Sequence, residues 1–151
     1  MIYQDFIKKG LLKKEKINFD QINQVFKRAH RHLKSAKILL KNDDQEGCFQ
    51  FAYQAMLLAG RALLFSYNLR PRAIGSHKIV IDFVERAIGK NYKILVRKFD
   101  KMRKKRHYLI YGIGLVTSKT EAKNAIKSAE DFLKIIENNI QKRNPQKKLF
   151  K

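Results

Sequence analysis

Between Arg97 and His107 the chain carries seven lysines and arginines against a single aspartate. Inside that run Arg103, Lys104, Lys105, Arg106 and His107, followed by Tyr108 and Tyr111, supply the residue types that handle phosphate. Guanidinium groups stay protonated and offer planar forks of N–H donors that match phosphate oxygens. Lys104 and Lys105 add positive charge beside them. Imidazole exchanges its proton near neutrality, so His107 beside Arg103 and Arg106 completes a group of two guanidiniums, an imidazole and a phenol that can grip a phosphate. The phenols of Tyr108 and Tyr111 can stack on bases. For Tyr108, ordinary core packing is the stronger account.

The element that must position these groups is a helix. Leu95, Phe99, Met102, Arg106 and Leu109 recur at spacings of 4, 3, 4 and 3, which is one helical face. Arg106 stands in that apolar stripe where a core helix would carry Leu or Ile, and a cation buried there without a partner is costly. Arg103, His107 and Tyr111 fall within one turn of it, on one broad face. The spacing therefore predicts that Arg106 meets an anion, a carbonyl or a wet interface. The bland alternative is that it snorkels past the stripe into solvent.

The rest of the chain reads as helices that could pack around this one. Asn18 and Gln21 form a capping-box pattern flanked by Ile17 and Ile22, opening a helix whose apolar positions run from Ile22 to Leu40 while Lys27, Arg28, Arg31, Lys34, Lys37 and Lys41 fill its other side. A second helix follows Asp43 and Asp44 and runs to about Tyr67. It is apolar nearly all round, so it is central, with Gln50, Gln54, Arg61 and Asn68 on one narrow polar strip meeting solvent, a partner or the site. A loop marked by Pro71 and Gly75 leads to Ser76, the expected cap of a third helix, with His77 in its first turn read as a structural hydrogen-bonder. The fourth helix spans about Tyr92 to Tyr111 and is ended by Gly112 and Gly114. Ser118 and Glu121 make a second capping box, opening a fifth helix whose apolar stripe reaches Ile140. Sustained period-2 alternation is missing, so the expectation is all-α: an up-and-down bundle of about five helices over residues 18–140. Residues 1–17 read as an amphipathic basic extension and 141–151 as a flexible basic tail.

The chain has 151 residues, 34 Lys and Arg against 13 Asp and Glu, and a net charge of +21. That excess points to a polyanionic partner, RNA or nucleotide first and an anionic membrane surface a distant second. Part of it is the Lys-, Ile- and Asn-rich composition of the whole chain. One cysteine, Cys48, leaves no internal disulfide, and neither metal-ligand nor cofactor motifs stand out, so a cytoplasmic protein without metal or cofactor is expected. Cys48 to Tyr67, interrupted by Gln50, Gln54 and Arg61, reads as a buried helix and not a membrane span.

Taken in order, SAKILL, CFQFAYQAMLLAGRALLF, GSHK, RKKRHYLIYG and SKTEAKNAIKSAEDFL resemble the HEPN domain, a small helical family named for nucleotide binding, over about Asn18 to Ile140. The resemblance implies a homodimer whose fourth helices face each other across a basic groove. Active members carry an arginine, a polar residue, several variable positions and a histidine there, and cut RNA without metal. Arg106 matches the arginine and His107 the polar residue, while Tyr111 occupies the terminal histidine's place. A phenol with a pKa of about 10 is a poor base at neutral pH. The resulting expectation is a homodimeric RNA-binding protein with an Arg106, His107 and Tyr111 site that is catalytically degenerate or weak. The alternatives are a metal-independent endoribonuclease of toxin or phage-defence type, and a nucleotide-binding accessory subunit of a nucleotidyltransferase acting as antitoxin. In that last case Tyr111 or Tyr108 is the candidate for modification.

Overall fold

A computed structural model of the chain describes residues 3–73, 76–112 and 116–149. Its elements are α1 (Gln4–Lys8), β1 (Leu12–Lys14), α2 (Phe19–Lys41), α3 (Gln45–Ser66), β2 (Leu69–Pro71), α4 (His77–Ile88), α5 (Lys93–Ile110) and α6 (Lys119–Arg143), with one 3-10 turn at Lys90–Tyr92 between α4 and α5. The all-helical bundle expected from the stripes is present, with α2 to α6 matching the five helices that the sequence predicts.

The caps account for where the long helices begin. The Asn18 side chain accepts from the Gln21 N–H at 2.9 Å, while the Gln21 side chain accepts from the Asn18 N–H at 3.3 Å. Ser118 and Glu121 repeat the arrangement at α6. Each box satisfies N–H groups that the first helical turn would otherwise leave without partners. Ser76 is the N-cap of α4 without making a capping bond; its hydroxyl donates instead to the Ala73 carbonyl at 2.9 Å. Gly112, at φ +86°, lies just past the end of α5 in the left-handed region that glycine enters without strain. Gly75 and Gly114 lie outside the described residues.

α3 is the centre. Thirteen of its residues are buried, and it packs against α2 and α6 most extensively, then against α4 and α5. It is long and apolar enough to cross a membrane by composition, yet it forms the core of this bundle. Gly60 is a point of closest approach to α4, since a Cβ there would sit 2.8 Å from Val80 Cγ1.

Two features depart from the sequence expectation. First, Leu12–Lys14 and Leu69–Pro71 pair as a two-stranded antiparallel ribbon, with Leu12 opposite Pro71 and Lys14 opposite Leu69. Three-residue strands are too short to show alternation, and Pro71 is tolerated because its strand has only one neighbour. Second, the C-terminal segment is docked, as is the short amphipathic N-terminal helix α1, which stops before Gly10. Tyr3 and Phe6 are buried, and Arg86 of α4 donates to both Asp5 carboxylate oxygens at 2.7 Å while lying over the Phe6 ring. At the other end, the segment expected to be a flexible tail continues α6 to Arg143, whose guanidinium sits 3.3 Å from the Tyr67 ring centroid and donates to Ser66 Oγ. Leu149 is buried, and its N–H donates to Gln141 Oε1. Charge alone suggested a free tail; the apolar and ring contacts that hold it come from residues far away in sequence.

Candidate phosphate site around Tyr53, His77 and Arg106

Three helices bring polar groups together on one side of the core. Phe99 of α5 is fully buried, its ring 5.7 Å from Tyr53 of α3 and 5.0 Å from Phe132 of α6. That wedge fixes the roll of α5, and Arg103 and Arg106, four and seven residues on, therefore lie on the same side. The Arg106 guanidinium carbon sits over the Tyr53 ring, 5.8 Å from its centroid. Tyr53, completely buried, shares a 2.9 Å hydrogen bond between its hydroxyl and Nδ1 of His77, the first residue of α4. Arg61, eight residues after Tyr53, joins the group from α3.

Burial pushes the Tyr53 phenol up to about 12 against the pull of Arg106, Arg103 and Arg61. His77 is driven down to about 4, first by burial and then by the charges of Arg106, Arg61 and Arg103. Both groups are neutral at pH 7, so the floor of the site is uncharged while three guanidiniums surround it. Asp100 is the nearby carboxylate. Burial disfavours its ionised form, but a 2.9 Å hydrogen bond from Arg103 Nε and the charges of Arg103, Lys78 and Lys104 outweigh this and hold it low. Asp100 is thus shared among three cations. Among the described residues Arg106 forms no ion pair, and neither does Arg61. Half-buried and uncompensated, Arg61 has its protonated form disfavoured, chiefly by burial. An anion entering here would relieve that repulsion, and a phosphate matches the guanidinium geometry.

His77 also predicts a pH dependence. Its folded pKa of about 4 lies below the value of about 6.5 it takes when unfolded, so between these the unfolded chain binds the extra proton. Stability from this source is complete above pH 6.5 and is lost as pH falls toward 4. His32, also held low by burial and by Arg28 and Arg31, acts in the same direction. The melting temperature should fall over this window before the carboxylates titrate, and His77→Asn should flatten the decline. Parallel pH profiles for variant and wild type would contradict the assignment.

The structure divides the residues picked out from the sequence. Arg103 and Arg106 reach the Tyr53 and His77 cluster. His107, Tyr108 and Tyr111 form a separate, outward-facing group at the end of α5: the His107 ring lies 4.7 Å from that of Tyr111 and 5.9 Å from that of Tyr108. Tyr108 and Tyr111 are 56% and 71% exposed, so Tyr108 is not a core residue. Lys104 is exposed and 3.6 Å from Asp100. Lys105 is largely covered, paired with Glu121 and lying over the Phe49 ring, which makes it a tie between α5 and α6. Tyr53 gave no signal in the sequence, because an aromatic inside an apolar helix looks like core. Arg61 was marked only by its polar strip, and His77 only as a hydrogen-bonder. Among the described residues no three His, Cys, Asp or Glu side chains are grouped to hold a metal ion.

The fold is an all-helical bundle that brings Arg61, Arg103 and Arg106 beside a neutral Tyr53–His77 pair, with Arg103 tied to Asp100. The HEPN domain model matches residues 22–139, more than three quarters of the chain, and the chain belongs to the HEPN family. That membership supports a general RNA-binding or ribonuclease-like role. No curated protein matches the sequence.

Proposed function

We propose that this chain is a homodimeric RNA-binding HEPN protein in which Arg106, backed by Arg103 and Arg61 above Tyr53 and His77, grips an RNA phosphate, with catalysis degenerate or weak. The observation that carries this reading is Arg106 itself: a half-buried guanidinium, in the middle of an apolar stripe, without a carboxylate partner among the described residues. The net charge of +21 supplies the long-range attraction. A second copy is the natural cover for the end of α5, where Tyr108, Ile110, Tyr111 and Val116 are all exposed apolar or aromatic groups. The test is fluorescence anisotropy with labelled single-stranded RNA at several salt concentrations. Affinity should fall with salt, the log–log slope being about −0.7 for each phosphate neutralised. Binding that ignores salt, or no binding at low salt, would overturn the proposal.

One observation favours a ribonuclease as second reading: His107 is exposed, with its ring against Tyr111. In that arrangement His107 takes the 2′-hydroxyl proton, the 2′-oxygen attacks the adjacent phosphorus, and the bond to the 5′-oxygen breaks, that oxygen taking a proton from water to leave as a 5′-hydroxyl beside a 2′,3′-cyclic phosphate end. Metal-free incubation with RNA, followed by end-group analysis of wild type and His107→Ala, separates this reading from binding alone.

A further inference from the structure

The outer face of α2 and α3 carries a group that the Arg106 site does not use. Phe51 of α3 is 36% exposed, and its ring centroid lies 5.3 Å from that of His32 of α2, the planes tilted by 36°. Arg28 and Arg31 flank the imidazole closely enough for their charges to oppose its protonation. Neither arginine forms an ion pair among the described residues, and neither do Lys27, Lys34 or Lys41 on the same helix; Lys37 is the exception, bound to Glu130. Arg28 also acts on Arg61, and Arg61 on His77. Positive charge is therefore continuous from α2, over the polar strip of α3, to the Arg106 site.

We infer that this face is a second RNA contact, in which the Phe51 and His32 rings receive an unpaired base, Arg28 and Arg31 take the flanking phosphates, and one strand continues past Arg61 to Arg106. The inference rests on the Arg106 reading for the direction of the strand. A partly exposed Phe51 ring backed by half-buried His32 among arginines suits single-stranded RNA, because an unpaired base offers a free face to stack on and the backbone supplies the anions. Duplex RNA keeps its bases stacked and offers nothing to Phe51. An anionic membrane would satisfy the arginines but gives no reason for a paired Phe and His.

The experiment compares oligouridines of two lengths, one long enough to span both sites and one a trinucleotide, against wild type, Phe51→Ala, the double variant Arg28→Gln/Arg31→Gln, and Arg106→Ala. Phe51→Ala should weaken the long RNA by about tenfold, the loss expected for one stacked base. The double variant should make its salt slope shallower by about 1.4, two phosphates' worth. Trinucleotide binding should respond to neither. The double variant leaves the core untouched, so it decides the matter even if Phe51→Ala melts early. If both bind long RNA as wild type does, while Arg106→Ala loses both oligonucleotides, the second contact is wrong and the Arg106 reading stands. If Arg106→Ala binds both normally, the continuous path fails along with that reading. Variants that lose phosphatidylserine vesicles but keep RNA would give the face to a membrane and overturn the inference.

Discussion

Arg106→Ala should weaken single-stranded RNA binding by about 10- to 100-fold, the loss of about 1.5–3 kcal/mol that accompanies removal of a hydrogen-bonding partner from a charged group. The same change should make the salt slope shallower by about 0.7. Folding should hardly suffer. Arg106 contributes a cation–π contact with Tyr53, of about 0.5–1 kcal/mol, and forms no ion pair among the described residues that its removal would break. A further readout tests placement independently of RNA. Because Arg106 is the leading charge that opposes protonation of His77, the variant's His77 pKa should rise from about 4 toward the ordinary imidazole value, as followed by NMR titration. Unchanged RNA affinity together with an unmoved His77 would remove Arg106 from the site. Arg106→Lys should recover the His77 shift in large part but little of the affinity, since an ammonium keeps the charge and loses the fork.

Phe99→Ala should be the most damaging single change to stability, costing about 3–5 kcal/mol. The ring is fully buried between Tyr53 and Phe132, so that α3, α5 and α6 share an aromatic contact there. Removing it leaves a cavity that three well-packed helices cannot close without moving. For a domain of this size the loss lowers the melting temperature by roughly 10 °C. It should also loosen the roll of α5 and so scatter Arg103 and Arg106, weakening RNA binding even where the chain remains folded. Phe99→Leu, which keeps most of the volume, should cost much less in both measurements. A calorimetric loss below about 1 kcal/mol for Phe99→Ala would show that α5 is held by something else.

The bundle was legible because its signals are local and redundant. Asn18 with Gln21 and Ser118 with Glu121 announce helix starts within four residues, and the stripes through Phe26, Leu33, Leu133 and Ile136 repeat often enough that one misfit does not hide them. The ribbon between Leu12–Lys14 and Leu69–Pro71 was not legible, since its partners stand more than fifty residues apart and neither is long enough to alternate. The docking of the C-terminal segment was not legible for the same reason. Arg143 over Tyr67 and Arg86 over Phe6 are contacts of charge with ring, which composition reports only as charge.

The candidate site was half legible. Arg106 betrayed itself because a guanidinium interrupts an apolar period, and Arg103 followed from one turn of spacing. His107, Tyr108 and Tyr111 were grouped with them by nearness in sequence, yet a helix turns 100° per residue, and the roll set by Phe99 sends Arg106 toward Tyr53 while His107 and Tyr111 point outward.

From the order of its residues alone this protein is a basic helical bundle with an arginine out of place in its fourth long helix, because charge, caps and periodicity each depend on neighbours within a few positions. Which groups that arginine meets was decided only when the chain folded. Tyr53, Arg61 and His77 come from helices whose relative roll is fixed by side-chain packing at Phe99 and Gly60, and packing between distant segments leaves no periodic trace in a single chain.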